Sequence, residues 1–112
     1  MLPFKNRLNR KKDIEKVLKF GISKQAGNIV VKIKKNNLED TRVGFLVGLK
    51  FSKKAVERNR CKRLLREVIK DKIKLIPRGW DILVMARKKE NEKVSFHKLS
   101  ENISQIFKEI FN

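Results

Sequence analysis

The sequence is short of almost every residue type from which a polypeptide builds catalytic or metal chemistry. Among 112 residues there is one cysteine, Cys61, and one histidine, His97. A lone thiol excludes a disulfide framework and fits a reducing compartment. The two residues lie on different segments with no ligand spacing around either, so a Cys/His metal site has too few ligands. A Cys–His nucleophile pair lacks a third group to orient it. The five glycines form no phosphate-cradling loop. Long apolar runs are missing too. The longest are Phe45 to Leu49, with Gly48 inside, and Ile82 to Ala86, far below the about 18 residues of a membrane span. The start, MLPFKNRLNRKK, has no apolar stretch of the secretory kind. Acids are scarce and scattered, and most stand within a helical turn of a Lys or Arg. The polypeptide by itself reads as a binder.

Basic residues and an adequate apolar complement are what remain. Thirty Lys and Arg against 12 Asp and Glu give a net charge of +18. This excess opposes self-association and calls for an acidic partner, either nucleic acid or an anionic membrane surface. Apolar residues make up 40% of the chain. A single domain of this length buries about 65% of its unfolded surface, enough for one modest core without staples.

Hydrophobic periodicity divides the chain. Asn9 to Phe20 reads as a helix, with Ile14, Val17 and Leu18 on one stripe, Asn9 as its cap and Gly21 as its end. Asn28 to Lys34 and Arg42 to Leu49 alternate with period two and read as strands. The polar residues 35–40 between them suggest a hairpin. A further short strand is suggested near Ile22 to Gln25. Ala55 to about Leu75 reads as a long helix with Cys61, Leu64, Leu65, Val68 and Ile69 facing a core, broken by Pro77-Arg78-Gly79. Asp81 to Ala86 does not alternate, so a strand buried on both faces is expected, with Arg87-Lys88-Lys89 at its end. A last helix is expected from about Phe96 to Ile110, capped by Ser95. The class is α+β or a small α/β sandwich, and the strands flanking the long helix are candidates for parallel neighbours.

The long helix is the informative segment. Lys50 to Lys74 holds 11 Lys and Arg and only 3 acids. At about 100° per residue, Asn59, Lys62, Arg63, Arg66 and Lys70 share one third of the circumference, opposite the apolar stripe. One face is thus anchored while the other presents forked donors at fixed spacing, which suits the phosphates of a folded RNA. Glu67 is placed to pair with Arg63 at i, i+4. A merely solvated face explains this crowding of like charges less well than nucleic-acid binding does. A membrane-surface helix fits less well, because the apolar face is aliphatic and suited to a sheet. With no helix-turn-helix, zinc finger or heptad, RNA is favoured over DNA.

Ala55-Val56-Glu57-Arg58-Asn59-Arg60-Cys61-Lys62-Arg63-Leu64-Leu65-Arg66-Glu67 resembles the signature helix of the bacterial ribonuclease P protein family, A-V-x-R-N-x-x-K-R-x-x-R, at every fixed position. Arg7-Leu8, Asp13 and Gly21 resemble the family's N-terminal pattern. Arg42-Val43-Gly44 resembles its strand before the helix, and Gly79-Trp80-Asp81-Ile82 through Ala86-Arg87 its later strand. This resemblance implies an αβββαβα two-layer sandwich, a mixed sheet with a left-handed crossover through the basic helix. Right-handed crossovers are the strong default, so that hand comes from the resemblance alone.

It also implies the protein subunit of a ribonucleoprotein endonuclease that removes the 5′ leader of precursor tRNA. The partners are then a catalytic RNA, one protein per RNA, and precursor tRNA, in the cytoplasm and away from membranes. The catalytic site lies in the RNA, with Mg²⁺ held mainly there. Arg58, Asn59, Arg60, Lys62, Arg63 and Arg66 are implied to face that RNA. The family's Ser-Lys-Lys before the helix reads Gly48-Leu49-Lys50 here, with Lys53 and Lys54 as replacement charge. Ile14, Leu18 and Lys32 occupy the leader-cleft positions, where the family often carries aromatic rings. Cys61 is expected to be buried, His97 to be at the surface, Trp80 in the core or at its rim, and Phe51 either in the core or against a base. The rival from another class is a ribosomal or other structural RNA-binding protein.

Overall fold

The computed structural model describes residues 2–87 and 95–111. A 3₁₀ turn at Phe4–Asn6 precedes α1 (Lys11–Phe20), β1 (Ile22–Ala26), β2 (Ile29–Lys35), β3 (Arg42–Leu46), α2 (Ala55–Lys72), β4 (Trp80–Ala86) and α3 (Phe96–Phe111). The short strand suggested near Ile22 is therefore β1. It turns into β2 through Gly27-Asn28, with Ala26 opposite Ile29. Gly27 has φ +57, and positive φ at the first turn position alone matches the type II′ geometry that follows strand twist.

The sheet order is β1-β2-β4-β3. This corrects the hairpin expected between the second and third strands. β4 lies between them, antiparallel to β2 with Ile33 opposite Ile82 and parallel to β3 with Val43 opposite Ile82. The reason is burial. Ile82, Leu83 and Val84 are each 0% exposed, and only an interior strand covered on both faces hides consecutive apolar side chains. β3 and β4, the strands flanking α2, are the expected parallel neighbours. β3 stops at Leu46, short of the expected Leu49, and the chain then leaves the sheet while Val47 and Phe51 remain buried.

Strand alternation sends the two faces to different partners. Ile29, Val31 and Ile33 of β2 and Ile82, Val84 and Ala86 of β4 pack against Cys61, Leu65, Val68 and Ile69 of α2 and Leu99, Ile103 and Ile106 of α3. This sheet and helix pair form the two layers of the sandwich. On the opposite face Leu83 packs with Leu8 and Val17, and half-buried Ile14 and Met85 adjoin them, so α1 crosses that side. Fully burying a side chain of the Val17 or Leu83 kind stabilises by about 1.5–3 kcal/mol. α1 begins later than the sequence suggested. Arg10 holds the cap position without a side-chain bond, so Asn9 is not the cap, whereas Gly21 does end the helix by donating its N–H to the Val17 carbonyl at 2.8 Å. The N-terminal segment runs beside β3, where the Leu8 N–H donates to the Val43 carbonyl at 3.0 Å. A Cβ on Gly44 would lie 2.5 Å from the Leu8 oxygen, so that close crossing requires glycine.

A polar cluster closes one end of the sheet. Arg42 donates Nε and Nη2 to the two Asp81 carboxylate oxygens at 2.8 and 2.7 Å, and Nη1 to Asp13 Oδ2 at 3.2 Å. Asn36 Nδ2 donates to Asp81 Oδ1 at 2.9 Å. These bonds join α1, β3, β4 and the β2–β3 loop. The hydrogen bond to Asp81, offset in part by desolvation, raises the Arg42 pKa from its ordinary value.

Cys61 is 1% exposed, and burial pushes its thiol up to about 11. Maleimide or disulfide reagents at pH 8 are therefore expected to leave the native protein unlabelled and to label it fully in denaturant, because the thiolate is the reacting form. Rapid labelling of the native protein, counted by mass spectrometry, would contradict the burial.

Candidate nucleic-acid interface

The buried residues of α2 fix the direction of its other face. With Cys61, Leu65, Val68 and Ile69 in the core, Asn59, Arg63, Arg66 and Lys70 are exposed, and Lys62 is half-buried at the flank. The expected pair between Arg63 and Glu67 is not among the ion pairs formed by the described residues. The order explains this, since an acid N-terminal to its base is the favourable arrangement on a helix and here the base comes first. Arg63, Arg66 and Lys70 thus present unshared donors in a row.

Arg58 and Arg60 flank this row on opposite sides of the helix. Arg60 is exposed. Half-buried Arg58 turns back, its Nη1 donating to the Ser52 carbonyl at 2.9 Å. Ser52 Oγ donates to Glu57 Oε1 at 3.0 Å and accepts the Lys54 N–H at 3.1 Å. Arg58 therefore helps hold the loop that leads into α2, and its remaining N–H groups stay available. Lys50, Lys53 and Lys54 are exposed on that loop. They add charge beside the positive end of the helix dipole, where an anion is favoured.

Ile14, Leu18 and Lys32 lie together at the junction of α1 with the sheet. Lys32 Nζ donates to the Leu18 carbonyl at 3.0 Å, placing an ammonium at the negative end of α1. Leu18 is 37% exposed, while Ile14 is half-buried against the Leu8–Val17–Leu83 cluster. The junction is open at Leu18 and packed at Ile14.

The other singled-out residues are resolved by burial. Phe51 is 3% exposed and belongs to the core. Trp80 is half-buried at its rim, edge-on to Phe111 at 5.8 Å, with the Lys35 ammonium 5.6 Å from its ring. His97 is exposed and paired with Glu101 at 2.8 Å. Ser95 Oγ caps α3 by accepting the Lys98 N–H at 3.2 Å. Lys88 and Lys89, noted after β4, lie outside the described residues. Sequence reasoning missed the Arg42–Asp81 cluster and the approach of residues 7–9 to Lys62 and Arg66. Both join positions remote in the chain, and neither leaves a local pattern.

A family model described as Ribonuclease P matches residues 2–110. The chain belongs to the ribonuclease P protein family. It is 38% identical over 109 residues to the ribonuclease P protein component of Thermotoga petrophila, covering 95% of this chain and 92% of that one. It is 43% identical over 84 residues to that of Dehalococcoides mccartyi, covering 75% and 68%. The solved ribonuclease P protein of Thermotoga maritima superposes with a TM-score of 0.81 at 37% identity, over 95% of this chain and 98% of that one. That of Staphylococcus aureus gives 0.81 at 25% identity, over 95% of each. The family decides against the ribosomal alternative and accounts for the mixed four-stranded sheet with three helices. No helix among the described residues is long and apolar enough to cross a membrane.

Proposed function

We propose that this chain works as the protein subunit of a ribonucleoprotein ribonuclease P in the cytoplasm, one copy per catalytic RNA, and helps that RNA remove the 5′ leader of precursor tRNA. The observation that carries the proposal is the row of exposed, unshared cations on α2, standing in the signature of the family. Catalytic RNA and precursor tRNA are both polyanions and repel each other. A domain of net charge +18 offsets that repulsion by phosphate neutralisation and release of counterions. Arg63 and Arg66, with Asn59, Arg60 and Lys62 beside them, bind the catalytic RNA. Arg58 orders the approach to the helix and adds a contact at its flank, and Lys50, Lys53 and Lys54 extend the contact beyond its N-terminus. The leader crosses the junction of α1 and β2. Leu18 and Ile14 offer it aliphatic contact there, and the Lys32 ammonium offers a phosphate contact.

Chemistry is assigned to the RNA. Among the described residues no three His, Cys, Asp or Glu side chains come together, and Asp13 and Asp81 are both engaged by Arg42. These groups do not fit a Mg²⁺ cage, so in this reading Mg²⁺ is held by RNA phosphates and the polypeptide reduces the Mg²⁺ concentration needed for assembly.

Reconstitution tests this. Added to a bacterial ribonuclease P RNA at low Mg²⁺, the chain is expected to raise the rate of leader removal strongly, with the gain shrinking as Mg²⁺ rises. Equal rates with and without protein at low Mg²⁺ would reject the assignment.

A further inference from the structure

A groove of about 320 Å³ opens between the N-terminal segment, β3 and α2. Its lining is mixed, with Leu2, Leu8, Ile14 and Phe45 beside Asn9 and the cationic Arg7, Lys62 and Arg66. Arg7 is held in place by its Nε, which donates to the Leu2 carbonyl at 2.8 Å. Lys62 and Arg66 share no ion pair among the described residues. Among the described residues no carboxylate lines the groove, so it complements an anionic ligand.

The base of the groove has a second character. β3 is an edge strand. The Val43 carbonyl points outward, since it accepts from the Leu8 N–H. Backbone alternation directs the N–H and C=O of Phe45, two residues on, toward the same edge. Among the described residues, the Phe45 backbone makes no hydrogen bond on that side with the N-terminal segment. One donor and one acceptor therefore stand side by side in a groove that Arg7, Lys62 and Arg66 also line.

We propose that this groove holds one unpaired nucleotide of the RNA subunit, its base against the Phe45 backbone edge and its phosphate on Lys62 and Arg66. An unpaired base leaves its Watson–Crick edge free, where an acceptor stands beside a donor, as N1 and the 6-amino group do in adenine, the complement of a backbone N–H and C=O. Unstacked bases in RNA loops and bulges are the usual targets of such readout. The proposal rests on the subunit reading above and deepens it. The RNA subunit is the preferred source of the nucleotide because two of the three rim cations belong to the α2 row.

The test uses the wild-type chain, isotope-labelled, titrated with adenosine monophosphate and with ribose 5-phosphate. The nucleotide is expected to shift the Gly44 and Phe45 amides saturably, while ribose 5-phosphate shifts only signals near Lys62 and Arg66. In parallel, Asn9→Trp fills the groove from its exposed rim without changing charge. It is expected to weaken binding of a ribonuclease P RNA about tenfold at unchanged salt dependence, with the amide spectrum confirming its fold. Identical responses to the two probes, or wild-type RNA affinity in Asn9→Trp, overturn the nucleotide site and leave the subunit reading standing. Failure of the wild-type chain to bind the RNA overturns both.

Discussion

Asp81→Ala is expected to destabilise the domain by about 3 kcal/mol, because removing one partner of a buried pair leaves the other charge uncompensated. The Asp81 side chain is 8% exposed and that of Arg42 20%. Alanine would remove both acceptors of the bidentate pair and the acceptor of Asn36 Nδ2 together. Arg42 would keep only Asp13 at 3.2 Å. Partial exposure and that remaining partner hold the cost to the lower end of the about 3–5 kcal/mol typical of broken buried pairs. For a domain of this size it corresponds to about 10–20 °C in Tm. The companion double variant, Arg42→Met with Asp81→Leu, is expected to recover most of the loss, since replacing both charges with apolar groups removes the desolvation cost with the attraction. Thermal and urea unfolding of the three proteins measure this. A loss below about 1 kcal/mol in Asp81→Ala would mean the cluster is solvated and does not fasten α1 to the sheet.

Arg63→Ala with Arg66→Ala is expected to leave stability nearly unchanged and to weaken RNA-subunit binding about a hundredfold or more. Each residue is exposed on α2 and takes part in no ion pair among the described residues, so the fold loses little. A hydrogen bond to a charged group contributes about 1.5–3 kcal/mol, and two such contacts give at least that drop in affinity. The slope of log affinity against log salt should flatten by about 1.4–1.8, two phosphate contacts at about 0.7–0.9 each. Lys108→Ala, which removes an exposed charge on α3, should change neither quantity beyond a general screening effect. Filter binding across a salt series gives both numbers. An undiminished slope in the double variant would show that this row does not meet phosphate.

The two substitutions probe parts of the protein that differed in how far the sequence revealed them. The α2 row was visible because a helix repeats every 3.6 residues, so charge and apolarity along Lys50 to Lys74 sort onto faces before any tertiary contact is known. The buried strand β4 was visible as an unbroken apolar run bounded by turn residues. β1 and β2 carried a local hairpin signal in Gly27-Asn28, two residues between β-like runs, and this competed with the alternation of residues 28–34 and 42–49 that pointed to the wrong pairing. Alternation fixes which side chains share a face but says nothing about which strand lies next to which.

By itself, then, the sequence determined the elements, the +18 charge, the exposed basic face of α2 and, through the spacing of Arg58, Asn59, Lys62, Arg63 and Arg66, the family. Those properties depend on residues within a few turns or strand steps of one another. Tertiary structure alone decided that β4 separates β2 from β3, that Arg42 holds Asp81 and Asp13 together, and that residues 7–9 border Lys62 and Arg66. Each of these joins segments that are 29 or more residues apart. Such pairings are selected by global competition for burial and for hydrogen-bond partners in a desolvated interior, which no local period encodes.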